Sequence, residues 1–239
     1  MLAGFCMLAG LIMKYKISSE RIPVMANTYT YPRREEIANA ITHGIGAALS
    51  VAALVLLIVF SSLKGTAWHI VSFTIYGSTM LLLYLSSTLV HGLRDGKAKD
   101  FFEFMDHSSI YLFIAGTYTP FLLVAIRGTL GWSLFGIVWG VALFGVIFKA
   151  FFVKKFLFLS TIFYIAMGWL IVIAWNPLTA VVAPQGMNLL ALGGVLYTLG
   201  TIFYVWRGFP YHHAIWHLFV LAGSILHFFA ILIYLLPVG

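Results

Sequence analysis

Four side chains carry the chemistry this sequence can perform: His91, Asp106, His213 and His217. His213 and His217 are spaced i,i+4, so both imidazoles share one helical face and can reach one ion. A third histidine from another helix completes three nitrogen donors and leaves a position for water, as in catalytic rather than closed structural zinc sites. Three imidazoles also suit Zn2+ better than the oxygen-rich shells of calcium or magnesium. Asp106 is then either a fourth ligand or the acceptor of a proton from a water whose pKa zinc lowers to about 7. Ser87, one turn before His91 on the same face, is placed to support a ligand or to donate to a developing oxyanion. Two other readings stay open: hydrogen-bonded packing between helices, and a proton or ion pathway.

The elements that must position these residues are long apolar runs. Of 239 residues, 62% are hydrophobic and 9% charged, where soluble domains carry about 25% charged residues. Mean hydropathy is +1.01. Apolar stretches cover 41–61, 68–93, 107–126, 130–148, 156–175, 187–204 and 213–236. Each approaches the roughly 20 helical residues that cross a 30 Å hydrocarbon core, whereas barrel strands are shorter and alternate in polarity. The pattern predicts an all-α, polytopic membrane protein with seven transmembrane helices. Residues 1–40 form an N-terminal interfacial or cytoplasmic segment, 41–236 the membrane domain and 237–239 a short tail.

Orientation follows from the basic residues. With the N-terminus inside, 12 of the 14 Lys and Arg residues lie on the inner side, and only Lys64 and Arg127 lie opposite. This split predicts N-inside and C-outside. The site then sits near the cytoplasmic face of the plasma membrane, the inner membrane of a bacterium. Net charge is +7, but the basic residues are scattered between apolar runs, so no nucleic-acid partner is expected. The lone Cys6 excludes an intrachain disulfide. No oligomeric state follows from the sequence.

Several residues are expected to support the site. Pro32-Arg33-Arg34-Glu35-Glu36 reads as a helix start on the inner surface with acids in its first turn. Glu36, Asn39 and His43 recur on one face of it, either behind the ligands or as caps and headgroup contacts. His107 is a contact or support beside Asp106, His212 is expected to face the headgroups, and His69 belongs to the opposite end. His227, about 15 Å beyond His217 along a helix, reads as a core histidine or a polar point in a cavity. Aromatic segments 113–121 and 219–229 are candidate walls of an acyl pocket. Gly44, Gly46, Gly136, Gly140, Gly193 and Gly194 are candidates for close helix packing. Residues 1–13 form a short apolar stretch expected at the interface.

Taken together, Glu36-Ile37-Ala38-Asn39-Ala40-Ile41-Thr42-His43, Ser86-Ser87-Thr88-Leu89-Val90-His91-Gly92, Asp106 and His213-Ala214-Ile215-Trp216-His217 resemble the hemolysin III branch of the progestin and adipoQ receptor family. The resemblance implies seven helices, an N-inside orientation and zinc held by His91, His213 and His217, with Asp106 acting through water. It also implies hydrolysis of a membrane lipid amide such as ceramide, or less directly an ester. The family label leaves two alternatives: a zinc-stabilised receptor or membrane-stress regulator without turnover, and a cytolytic or pore-forming protein. No protein hormone is inferred as a partner.

Overall fold

The computed structural model describes residues 31–236. The expected interfacial stretch 1–13 and the tail 237–239 lie outside the described residues. Among the described residues, seven helices are long and apolar enough to cross a membrane: α1 Arg33–Lys64, α2 Ala67–Gly92, α3 Lys97–Ala125, α4 Thr129–Phe152, α5 Leu157–Thr179, α6 Pro184–Val205 and α7 His212–Tyr234. The chain is an all-α, polytopic membrane protein. Large apolar side chains such as Leu63, Phe144 and Phe158 point outward, as they must where the surrounding medium is hydrocarbon.

Helices α1 and α3 begin well before their apolar runs. Pro32 stands just before the first residue of α1, with Glu35 and Glu36 in the first turn, where acids meet the positive end of the helix dipole. Helix α1 then continues unbroken to Lys64, so the surface-lying start and the first crossing are one element. Gly96, with φ 151°, admits a backbone that other residues avoid and starts α3 at Lys97, about ten residues before the apolar run.

Helix α3 is the central element, the most buried of the seven. It packs on α2 and α4; α1 lies along α2 and α7, and α7 along α6. Helix α5 leans on α3 and α6. Midway it tightens into a 3-10 segment, Leu170–Ala174, a change of register that leaves carbonyls short of helical partners. The Tyr118 hydroxyl on α3 donates to the Met167 and Gly168 carbonyls at 2.9 and 2.7 Å, meeting the requirement that backbone in lipid be satisfied from within.

Close packing uses some of the expected glycines and not others. A Cβ on Gly46 would fall on the Tyr84 ring, and one on Gly193 on the His227 ring. Gly44 would make ordinary contact with Thr88, while Gly136, Gly140 and Gly194 would meet nothing within 4 Å. Spacing of small residues cannot tell which face of a helix meets a neighbour.

Candidate metal centre

Two helix ends converge at the charged end of the bundle. His91 lies in the last turn of α2, and His213 and His217 lie in the first two turns of α7. All three are buried, and one ring nitrogen from each lies within 4.8 Å of the others. A tetrahedral zinc with Zn–N of about 2.0–2.1 Å needs nitrogens roughly 3.4 Å apart, so closure takes side-chain adjustments on the order of an ångström.

In His91 and His217 the other ring nitrogen is committed elsewhere, which fixes the atom left for an ion. His91 Nδ1 faces Glu36 Oε2 at 2.5 Å, so Nδ1–H donates to the carboxylate. His91 Nε2 is buried without a hydrogen-bond partner. His217 Nδ1–H donates to the Asn39 carbonyl at 3.2 Å and approaches the Thr42 hydroxyl at 3.1 Å. Thr42 gives its own proton to backbone carbonyls of α1, so its oxygen accepts from the imidazole and His217 Nε2 keeps its lone pair. His213 Nδ1 is likewise buried and unpartnered. Orphaned imidazole lone pairs at one point are costly in a protein interior unless something binds there, and carbonyl or carboxylate partners on the far nitrogens are the usual support of metal-binding histidines. This buried cluster can coordinate a metal ion.

Helix α1 supplies that support without contributing a ligand atom to the cluster. Glu36 also accepts from Lys99 at 3.1 Å. Asn39 acts through its carbonyl, while its amide is buried without a partner. The His43 ring stacks on His217 with centroids 3.4 Å apart and planes 15° apart, and meets Tyr84 edge-on.

Asp106 is half-buried in the third turn of α3 and lines the same cavity as the three histidines. Its carboxylate interacts with His91 and Ser87, but the buried Ser87 Oγ completes no hydrogen bond.

A family profile described as "Haemolysin-III related" matches residues 31–228. The chain belongs to the haemolysin-III-related family. It is 60% identical to the "Hemolysin-3 homolog" of Bacillus subtilis (strain 168) over 205 residues, covering 86% of this chain and 96% of that protein. Against "Hemolysin-3" of Bacillus cereus the identity is 55%, over 85% of this chain and 93% of the relative. The human "Monocyte to macrophage differentiation factor" is 32% identical over 84% of each chain, which ties the haemolysin-III-related proteins to the wider progestin and adipoQ receptor family. No solved structure matches the chain.

In this haemolysin-III-related chain the three histidines open on a cavity of about 1460 Å³. The cavity runs inward along α3, α5, α6 and α7, where Phe113, Phe121, Ile165, Leu190 and Trp216 are among its walls. Segment 113–121 is thus a wall as expected, and segment 219–229 is one through Val220 and His227. Phe219 stacks on Phe203, and Phe229 is exposed on the outer face of α7. Further walls come from α5 and α6. At the mouth, Lys99 bridges Glu36 and Asp95, and Lys154 bridges Asp100 and Glu103. Partial burial disfavours the charged form of Lys154, yet Glu103 and Asp100 outweigh it and hold its pKa above the ordinary lysine value.

His107 lines the cavity beside Asp106 with Nδ1–H donated to the Glu103 carbonyl at 2.9 Å. His212 does not face the headgroups: it is fully buried, with Nδ1–H donated to the Phe203 carbonyl. His69 sits at the other end of the bundle against the Leu235 carbonyl. Sequence reasoning missed Thr42, since a hydroxyl bonded to its own helix looks spent until its second lone pair is counted. It also missed Tyr31, whose ring lies 5.0 Å from His213 and 5.9 Å from His91; its position two residues before the helix start was the available signal.

Proposed function

We propose that the three histidines hold a zinc ion and that the protein hydrolyses an amide, or an ester, in a membrane lipid whose chain enters the cavity. One observation carries the reading: three buried ligand nitrogens, Asp106 and Ser87 open on a single cavity with apolar walls. A bound zinc would supply Lewis acidity toward the carbonyl and acidify the attacking water. Glu36, Asn39 and Thr42 hold His91 and His217 in the tautomer that presents Nε2. Asp106 orients the water and takes its proton as the water oxygen bonds to the carbonyl carbon. When the C–N bond breaks, Asp106 returns that proton to the departing nitrogen. Ser87 donates to the oxygen on which charge develops.

Metal content of purified wild type and of the His213→Ala/His217→Ala variant tests the first half. One zinc per wild-type chain and loss in the variant is the expected result; no transition metal in either after zinc reconstitution would defeat it. A screen of lipid amides and esters tests the second half, ceramide first.

The printed names of the two Bacillus relatives, "Hemolysin-3 homolog" and "Hemolysin-3", speak more directly for lysis than for turnover. Dye leakage from defined liposomes with wild type, and none with a folded site variant, would establish that second reading. A metal at this place also staples α2 to α7, which suits a receptor or membrane-stress regulator without turnover. That reading predicts a ligand-dependent change in zinc-loaded protein with no product released.

The proposed orientation is N-inside and C-outside, with the site at the cytoplasmic face, on the strength of the basic-residue split. On a Cys6→Ser background, Lys97→Cys should be shielded from a membrane-impermeant maleimide in intact cells and Arg127→Cys should be labelled. The reverse pattern would invert the assignment.

A further inference from the structure

The unpartnered polar atoms of the cavity wall gather at the three-histidine end, with one exception among the described residues. His43, Ser87, His91, Tyr204 and His213 belong to that end; His227 does not. His227 lies ten residues beyond His217 on α7, about 15 Å deeper, and is 6% exposed. Its Nε2 is 2.9 Å from the Leu190 carbonyl, and a carbonyl only accepts, so Nε2 carries the proton. In the neutral ring Nδ1 is therefore an acceptor, and it is buried without a partner.

The surroundings make room for this ring. A Cβ on Gly193 would strike it from α6, and a Cβ on Gly223 would come within 2.9 Å of Tyr197, whose ring meets His227 edge-on at 5.3 Å. Gly194, also in the cavity wall, leaves open space beside them. The Tyr197 hydroxyl is engaged with Ser224 at 2.8 Å, so it does not satisfy His227. The nearby hydroxyls of Thr117, Tyr118 and Thr198 give their protons to backbone carbonyls, so the acceptor left over on His227 calls for a donor from whatever fills the space.

We infer that His227 is a recognition point for a hydroxyl group carried well down the chain of an elongated amphiphile whose polar head lies at the three-histidine end. This rests on the reading that the cavity admits a lipid chain, but not on turnover or on metal. Matching a buried acceptor with a hydroxyl favours the hydroxylated chain by about threefold to tenfold.

The test is displacement of a fluorescent fatty acid from the full-length protein in nanodiscs by stearate, 12-hydroxystearate and 12-methoxystearate. Wild type should bind 12-hydroxystearate about threefold to tenfold more tightly than the other two, since the methoxy group fills the same space and donates nothing. His227→Leu should level the three affinities. The His213→Ala/His217→Ala variant should keep the preference, which separates this inference from the hydrolase reading: a wild type that shows the preference but turns over no lipid amide or ester sinks hydrolysis alone. Equal affinities of the three for wild type would overturn the inference without need of any variant. Failure of all three to displace the probe would overturn it together with the lipid reading of the cavity.

Discussion

Replacing Glu36 with Gln tests whether helix α1 governs metal affinity without touching the metal. The carboxylate accepts from His91 at 2.5 Å and from Lys99 at 3.1 Å, and its side chain is only 13% exposed. Glutamine keeps the shape and one acceptor oxygen and removes the charge. Hydrogen bonds to charged groups contribute about 1.5–3 kcal/mol and neutral ones about 0.5–1.5 kcal/mol, so the His91 contact should lose about 1–2 kcal/mol. Lys99 adds little to this, because Asp95 stays within 3.3 Å of it. The zinc dissociation constant should therefore rise about fivefold to thirtyfold, overlapping the roughly 10- to 100-fold typical of such supporting carboxylates. Competition with a chromophoric chelator on monodisperse protein measures it, with Lys99→Met as the internal comparison at under about threefold. A Glu36→Gln constant within twofold of wild type would refute the reasoning, and an equal loss in Lys99→Met would shift the effect to surface pairing.

Asp106→Asn should keep zinc occupancy and lose turnover by about a hundredfold or more; parallel loss of both would erase the distinction between ligand and proton acceptor. Gly46→Ala should push Tyr84 off α1 and destabilise the protein by about 1–3 kcal/mol, lowering its melting temperature in detergent. Gly136→Ala, with no neighbour within 4 Å, should leave that temperature unchanged or raise it. Lys154→Met removes partly exposed ion pairs and should cost no more than about 1 kcal/mol; a larger drop in thermal stability would mean that the connection between α4 and α5 holds the bundle together.

The number of crossings could be read from the sequence because each apolar run is a full membrane thickness long. The helix starts could not be read from hydropathy, which reports only the part immersed in hydrocarbon; the α1 start was legible from Pro32 and the acids that follow it. Pro32 and Gly96 mark those starts by backbone chemistry instead. The three-histidine cluster was legible because His213 and His217 share a face and His91 ends its run at the same depth. The partners of their far nitrogens were only partly so. Glu36 was foreseeable from its place on α1, whereas Asn39 acts through a carbonyl that every residue owns. The cavity walls were the least legible: Phe113 and Phe229 have the same composition and similar neighbours, and only the docking of α3 against α5 and α6 decides which one faces inward.

The length of α1 sets the depth of the whole site. Its 32 residues make a rod of about 48 Å, well beyond a hydrocarbon core of about 30 Å. The far end is pinned, because α2 begins at Ala67, directly after Gly65 and Thr66, with His69 closing the turn. Counting back from Lys64, the helix reaches His43 after 21 residues, roughly 31 Å, and then runs on through Thr42, Asn39 and Glu36. His43 thus stands one membrane thickness from the opposite surface, and the carboxylate that steadies His91 stands beyond it. With Lys64 held at the opposite surface, a thicker bilayer is expected to draw the histidines under hydrocarbon and a thinner one to lift them toward water, at a cost of fractions of a kcal/mol per ångström of mismatch.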